Sequence, residues 1–310
     1  MINIINYNSA SALKTFLERE NLGMRKKFGQ NFLINPEIRR SLVEALGANA
    51  GEDVWEIGPG LGAMTSVLLE KGFAVKAFEI DAGFIRILKH IFACEENFSL
   101  IEGDVMRTWQ DHFSGNQSGL ISGQNNASFL LGNLPYNIAA AFLADLIEKR
   151  RLFTRMVVTV QKEIALRMTA TAGSPDYSSF SVLCASVYKV KPLILIRPSS
   201  FYPQPNVDSM GVFLENKNYD NIPRIFYPLV RSLFASRRKT IKNNLLNFIA
   251  SCQLNQNTGI TPKDFCAALM SENGLSGNER AETLELEVFF SLARSLEVIR
   301  ENGNLFNFKH

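Results

Sequence analysis

The 310 residues are 46% apolar, 20% charged and 10% aromatic, with a formal charge of +3 from 33 basic and 30 acidic residues. That balance excludes fibrous, disordered and disulfide-stapled classes and leaves room for one large core or two unequal ones. No stretch approaches the roughly 18 unbroken apolar residues of a membrane helix, and the first ten residues lack the basic start and apolar run of a leader, so a cytoplasmic chain without membrane contact is expected. Cys94, Cys184, Cys252 and Cys266 form no C-x-x-C, and His90, His112 and His310 have no ligand spacing. Neither a metal site nor a structural disulfide is expected.

From about residue 53, short β-rich runs alternate with helical patterns, which predicts an α/β sheet. Strands are predicted over 54–57, 74–80, 98–102, 128–131 and 156–160, and amphipathic helices over 63–71, 83–94 and 139–151. Residues 114–127 are Gly, Ser, Asn and Gln with little to bury, as in a surface loop. The runs 181–188, 193–197 and 207–214 read as further strands at the far edge of the sheet. Near 215–220 the strand pattern stops, and helices predicted over 229–235, 241–250, 263–270 and 285–301 suggest a smaller helical domain. The distribution of charge changes there too. Between Asp220 and Asp264 there is no acid but seven basic residues, Arg224, Arg231, Arg237, Arg238, Lys239, Lys242 and Lys263, leaving 26 basic against 30 acidic elsewhere. A second acid-free window, Glu20 to Glu37, carries Arg25, Lys26 and Lys27. Both are either solvated faces or contacts with a polyanion.

After the first of these strands comes Glu56-Ile57-Gly58-Pro59-Gly60-Leu61-Gly62. Its glycines permit a tight turn and close approach of a ligand to backbone N–H groups. The G-x-G-x-G spacing, with an acid two residues before it, argues against a pyrophosphate cradle. It is similar to the loop with which class I methyltransferases hold S-adenosylmethionine. Glu79, about 20 residues on at the end of the next strand, can accept hydrogen bonds from ribose hydroxyls. Asp104, after the third strand, can accept one from an adenine amino group.

After the fourth strand stands Asn133-Leu134-Pro135-Tyr136, which resembles the (N/D)-(L/I/P)-P-(Y/F) motif of enzymes that methylate the exocyclic amine of adenine. That amine is a poor nucleophile because its lone pair is delocalised into the ring. Acceptors for both N6 protons, the Asn133 side-chain carbonyl and the backbone carbonyl of Leu134 or Pro135, would favour a pyramidal nitrogen. Proline stiffens the turn, and Tyr136 offers an aromatic face to a base taken out of its stack. The methyl group is already activated, so transfer needs alignment more than acid–base catalysis.

Four further segments narrow the resemblance to the ribosomal RNA adenine dimethyltransferase family. They are Lys26-Lys27-Phe28-Gly29-Gln30-Asn31-Phe32-Leu33; Phe201-Tyr202-Pro203-Gln204-Pro205-Asn206-Val207-Asp208-Ser209; Phe234-Ala235-Ser236-Arg237-Arg238-Lys239-Thr240; and Arg280-Ala281-Glu282-Thr283-Leu284. The resemblance implies a Rossmann-like catalytic domain over 25–215 and a helical RNA- and subunit-binding domain over 220–310. Residues 1–24 match no motif and are expected to be an extension without fixed structure. By the same resemblance Asn31, Leu33, Gly58, Gly60, Glu79, Asp104 and Asn133 contact the cofactor, and Phe201 covers the second face of the target base. Lys26, Lys27, Arg237, Arg238 and Lys239 meet RNA. The implied activity is dimethylation of two adjacent adenosines near the 3′ end of small-subunit 16S rRNA, with S-adenosyl-L-methionine becoming S-adenosyl-L-homocysteine, by a monomer acting in small-subunit biogenesis. Alternatives are the antibiotic-resistance type of large-subunit adenine methyltransferase and a non-catalytic assembly factor on the same fold. The usual Y-G-x-L-S-V of the family reads Tyr177-Ser178-Ser179-Phe180-Ser181-Val182 here, and the loop at 114–127 looks expanded.

Overall fold

The computed structural model describes residues 5–23, 30–112, 129–219, 221–254, 261–302 and 306–307. The calls at Lys26, Lys27 and the 114–127 loop lie outside them. In chain order the elements begin with α1 (Ala10–Arg19), β1 (Phe32–Leu33), α2 (Pro36–Ala45), β2 (Asp53–Ile57), α3 (Ala63–Glu70), β3 (Ala74–Glu79), α4 (Ala82–Ile91), β4 (Phe98–Glu102) and α5 (Val105–His112). There follow β5 (Phe129–Asn133), α6 (Ala139–Glu148), β6 (Arg155–Gln161), α7 (Lys162–Thr169), α8 (Ser179–Val187), β7 (Tyr188–Ile196), β8 (Phe201–Tyr202) and β9 (Ser209–Asn216). The chain continues through α9 (Phe226–Phe234), α10 (Ile241–Ser251), β10 (Gln253–Leu254), α11 (Pro262–Glu272), α12 (Leu286–Asn302) and β11 (Phe306–Asn307).

Cα packing divides the chain into two units: Met1–Ala165 with Lys189–Asn216, and Leu166–Tyr188 with Lys217–His310. The first holds a seven-stranded sheet in the order β4-β3-β2-β5-β6-β9-β7. Strands β2 to β6 run parallel, and β9 is antiparallel to β6. The middle strands are buried along almost their whole length, as strands covered on both faces must be. The order reverses between β2 and β5, and the crevice at the carboxyl ends of the strands there is where open α/β sheets bind ligands. This is the expected Rossmann-like methyltransferase architecture.

Two local expectations are corrected. Of residues 181–188, all but Tyr188, which begins β7, lie in α8 and not in a strand. Their unbroken apolar run fits a buried helix as well as a buried strand, and the reciprocal capping of Ser178 and Ser181 decides for the helix. The extension before residue 25 is not structureless: Ser9 caps α1 by accepting from the Ala12 amide, and Leu13 and Leu17, one turn apart, are buried. The sequence also gave no notice of α2, although Asn35 caps it, Pro36 starts it and Glu37 favours its first turn.

In the second unit α9, α10, α11 and α12 bury Phe226, Leu233, Leu245, Phe248, Leu269 and Phe289. Phe226 and Phe290 stack with centroids 4.5 Å apart. The buried Asn244 of α10 donates to the carbonyls of Leu233 (2.8 Å) and Ser236 (3.2 Å), closing the end of α9 and fixing the turn that follows.

Candidate active site

A cavity of about 270 Å³ opens at the carboxyl ends of the parallel strands. The residues expected at the cofactor, Asn31, Leu33, Gly58, Gly60, Glu79, Asp104 and Asn133, all line it, and so do Leu134, Pro135 and Tyr136.

The glycine loop leaves β2 with Gly58, Gly60 and Gly62 at φ +71°, +59° and +90°, backbone that residues with a Cβ rarely adopt. A Cβ on Gly60 would also stand 2.9 Å from the ring of Phe32, which closes over the loop. The Gly60 N–H donates to Glu79 Oε2 (3.0 Å), while the N–H groups of Ile80 and Asp81 donate to Oε1 (2.9 and 2.8 Å). Glu79 is thus held at the strand end with lone-pair capacity remaining chiefly on Oε2. It is only 5% exposed, and that burial pushes its carboxyl up to about 7.

Asp104 caps α5 through Oδ1, which accepts from the Met106 N–H at 3.0 Å. Its second oxygen has no hydrogen bond among the described residues, so it can take an amino hydrogen. The Gly103 N–H donates to the Glu79 carbonyl (2.8 Å), which ties the two acidic strand ends together. The glycine turn, the free carboxylate oxygens and the apolar rings of Phe78 and Phe84 in the cavity wall suit a nucleoside with no phosphate.

At the end of β5, Asn133 Nδ2 donates to the Asn31 carbonyl (2.7 Å), which leaves Oδ1 as the acceptor the side chain can offer. The Leu134 N–H is taken by the Thr159 carbonyl (3.0 Å). The Pro135 carbonyl already accepts from the amides of Ile138 (3.0 Å) and Ala139 (3.1 Å). Among the described residues no hydrogen bond reaches the Leu134 carbonyl, so of the two it is the backbone acceptor open to a ligand. Tyr136, half-buried, shares a hydrogen bond of 2.5 Å with the fully buried Ser209 of β9. Its phenol is raised by burial and stays protonated at neutral pH.

Phe201 is elsewhere. In β8 it pairs with Leu33, is 1% exposed and sits in the core with Leu42, Val157 and Ile196. Strand alternation sends its ring into the core and that of its neighbour Tyr202 the other way, to the cluster around Phe32. The expectation that Phe201 faces the base is corrected on this ground.

Glu56 is the residue whose position the motif signalled and whose role went unassigned. It lines the same cavity at 1% exposure, accepts from Thr65 Oγ1 at 2.6 Å, and is pushed up to about 7 by burial, with the nearby Glu79 charge adding to the shift. An acid two residues before the first glycine was the signal.

In the second unit the three basic residues at 237–239 part company. Arg237 donates to Glu282 Oε2 (2.9 Å) and to the Pro175 carbonyl (3.3 Å). Arg238 and Lys239 are exposed and pair with no acid among the described residues.

Comparison with known proteins follows the same outline. Residues 21–282 match the family model described as ribosomal RNA adenine dimethylase. The chain is 44% identical over 294 residues to ribosomal RNA small subunit methyltransferase A of Treponema denticola, covering 93% of this chain and 94% of that one. Among solved structures, a dimethyladenosine transferase from Plasmodium falciparum superposes with a TM-score of 0.72 at 25% identity, over 88% of this chain and 98% of that one. The 23S rRNA methyltransferase ErmE superposes with a TM-score of 0.59 at 18% identity, over 85% of this chain and 98% of that one, a likeness of fold.

Proposed function

The chain belongs to the ribosomal RNA adenine dimethylase family, and from that premise we propose that it methylates the N6 amines of two adjacent adenosines near the 3′ end of 16S rRNA, giving N6,N6-dimethyladenosine. We take S-adenosyl-L-methionine as the methyl donor and the small ribosomal subunit in the cytoplasm as the substrate particle, met by a monomer. The observation that carries the reading is the turn after β5, where Asn133 Oδ1 and the Leu134 carbonyl are both uncommitted beside the cavity that holds Glu79 and Asp104.

When bound, S-adenosylmethionine supplies a methyl group already activated on a sulfonium sulfur. Glu79 would hold the ribose hydroxyls, Asp104 the adenine amine, and the Gly58–Gly62 backbone the remainder. Asn133 Oδ1 and the Leu134 carbonyl would each accept one N6 proton of the target adenine. That pulls the amine out of conjugation and aims its lone pair, an orienting role that needs no general base of unusual strength. Tyr136, steadied by Ser209, supplies a face for the extruded base. Phe201, buried in the core, is not given the second face. Lys26, Lys27, Arg238 and Lys239 would contact phosphates, which supply affinity and register but no sequence reading.

Nucleoside mass spectrometry of small subunits lacking the modification, after incubation with the protein and S-adenosylmethionine, tests this. Dimethyladenosine on subunits is expected. Monomethyl product alone, or equal activity on a short naked hairpin, would overturn it in favour of the large-subunit type.

A further inference from the structure

The segment before the first family motif is bound to the cavity walls in a way that an appendage would not require. Its residues Ile5, Leu13 and Leu17 are buried in one cluster with Phe32, Leu61, Phe84 and Ile87. Two of these, Phe32 and Phe84, line the cavity on their other side. Leu22 fills the space over Gly83 so closely that a Cβ there would lie 2.5 Å from its Cδ2. Arg86 of α4 donates to the Glu20 carbonyl at 3.1 Å.

Polar contacts make the stronger case. The Tyr7 hydroxyl donates to the Leu61 carbonyl (2.9 Å), inside the glycine loop. Arg39 of α2, 5% exposed, donates through Nη1 to the Leu33 carbonyl (2.6 Å) and through Nη2 to Asn8 Oδ1. It pairs with no carboxylate among the described residues, and its Nε is buried without a partner. Burying an unpaired guanidinium is costly, and what offsets the cost here is one carbonyl from the cavity wall and one oxygen from the amino-terminal segment. The carbonyls that Arg39 and Tyr7 hold belong to two segments that both contribute to the cavity lining, Asn31–Leu33 and the glycine loop. The first of these segments also supplies the Asn31 carbonyl that orients Asn133.

We propose, resting on the cofactor reading above, that Tyr7, Asn8 and Arg39 are positioning residues through which the segment 5–22 holds the Asn31–Leu33 wall and the glycine loop in their cofactor-binding spacing. The segment is then part of the binding site without touching the ligand. Loss of its contacts loosens the walls, so that binding must first restore their spacing, and cofactor affinity falls.

The test uses the full chain carrying Tyr7→Phe with Asn8→Ala. Calorimetry with S-adenosylhomocysteine is paired with steady-state methylation of unmodified small subunits, at a temperature where circular dichroism shows every variant folded. About tenfold weaker binding and a matching rise in the KM for S-adenosylmethionine are expected from the two lost hydrogen bonds. The kcat at saturating cofactor and the KM for subunits should stay within twofold. Arg39→Lys, which keeps the charge and one donor direction, should fall between wild type and Arg39→Met. Lys14→Ala with Glu18→Ala, on the exposed face of α1, should leave binding unchanged. If the double variant does not fold, Tyr7→Phe alone decides the matter, with a threefold loss expected. Unchanged affinity in folded variants overturns the positioning role and leaves the cofactor reading intact, as does an equal loss of kcat and of affinity for both substrates. Wild-type protein that fails to bind S-adenosylhomocysteine overturns both.

Discussion

The polar groups at the ends of β2 and β3 differ in kind from those in the turn after β5. Glu56 and Glu79 are almost wholly buried and bonded within the fold, one to a hydroxyl and the other to three backbone amides. Asn133 and Tyr136 are half-exposed and each is held by one hydrogen bond, at 2.7 and 2.5 Å. Groups that grip a ligand can be buried and preset, since their task is the same before and after the reaction. Groups that act on an amine must keep one atom uncommitted, and a single tether orients the side chain while leaving that atom free.

The contrast is tested first at its reacting end. Asn133→Ala should lower kcat by about a hundred- to a thousandfold, the worth of one transition-state acceptor of 3–4 kcal/mol. Cofactor affinity should change little by calorimetry, and turnover within threefold of wild type would sink the role given to Asn133. At the gripping end Glu79→Gln should reverse the pattern, with cofactor affinity down about ten- to a hundredfold through loss of charge-assisted hydrogen bonds and kcat at saturation largely kept.

Acidity sharpens the same point. Burial holds Glu79 and Glu56 near 7, above their ordinary 4.5. Between those values the folded protein keeps protons that the unfolded chain has lost. Their stabilising effect is full below about 4.5 and is lost as pH rises through about 7. On the role proposed for Glu79, cofactor binding runs the other way, because the ribose hydroxyls need the carboxylate as acceptor. The rise in melting temperature on adding S-adenosylhomocysteine should therefore be larger at pH 8 than at pH 6, and Glu79→Gln should flatten that difference.

Smaller effects belong to the tether and to the basic turn of the second unit. Ser209→Ala should reduce kcat about three- to tenfold, and Tyr136→Phe by the same amount. The double variant should be no worse than either, which a double-mutant cycle would read directly. In the second unit, Arg238→Ala with Lys239→Ala should flatten the log–log salt dependence of subunit binding by about 1.4, at roughly 0.7 per single-strand phosphate contact. Arg237→Ala should instead lower the melting temperature, because its guanidinium joins two motif segments through Glu282.

What the sequence made legible follows from how locally each feature is coded. Strands β2, β3 and β5 are short, largely buried runs that end at a glycine, an acid or the Asn133 turn, so period and punctuation marked both the sheet and the cavity edge. Phe201 was misplaced because its direction depends on a two-residue pairing with β1, and register is not written in the residues themselves. The helix α1 stayed hidden because it buries only Leu13 and Leu17, against partners that are distant in sequence. The choice between the Leu134 and Pro135 carbonyls could not be made until the start of α6 was seen to occupy the latter.

On the proposed chemistry, the two acceptors left open at the end of β5 would also act as a counter. An unmodified adenine amine has two hydrogens and satisfies both Asn133 Oδ1 and the Leu134 carbonyl. The monomethyl amine has one, enough to be held while its remaining lone pair is turned toward a second donor molecule. The dimethyl amine has none, and with the base seated over them it leaves two acceptors desolvated and facing a group that cannot bond them, at a cost of about 1–3 kcal/mol each. On the proposed chemistry, the intermediate is retained and the finished base expelled by the same pair of oxygens, so that the turn sets the stopping point of the reaction as well as its start.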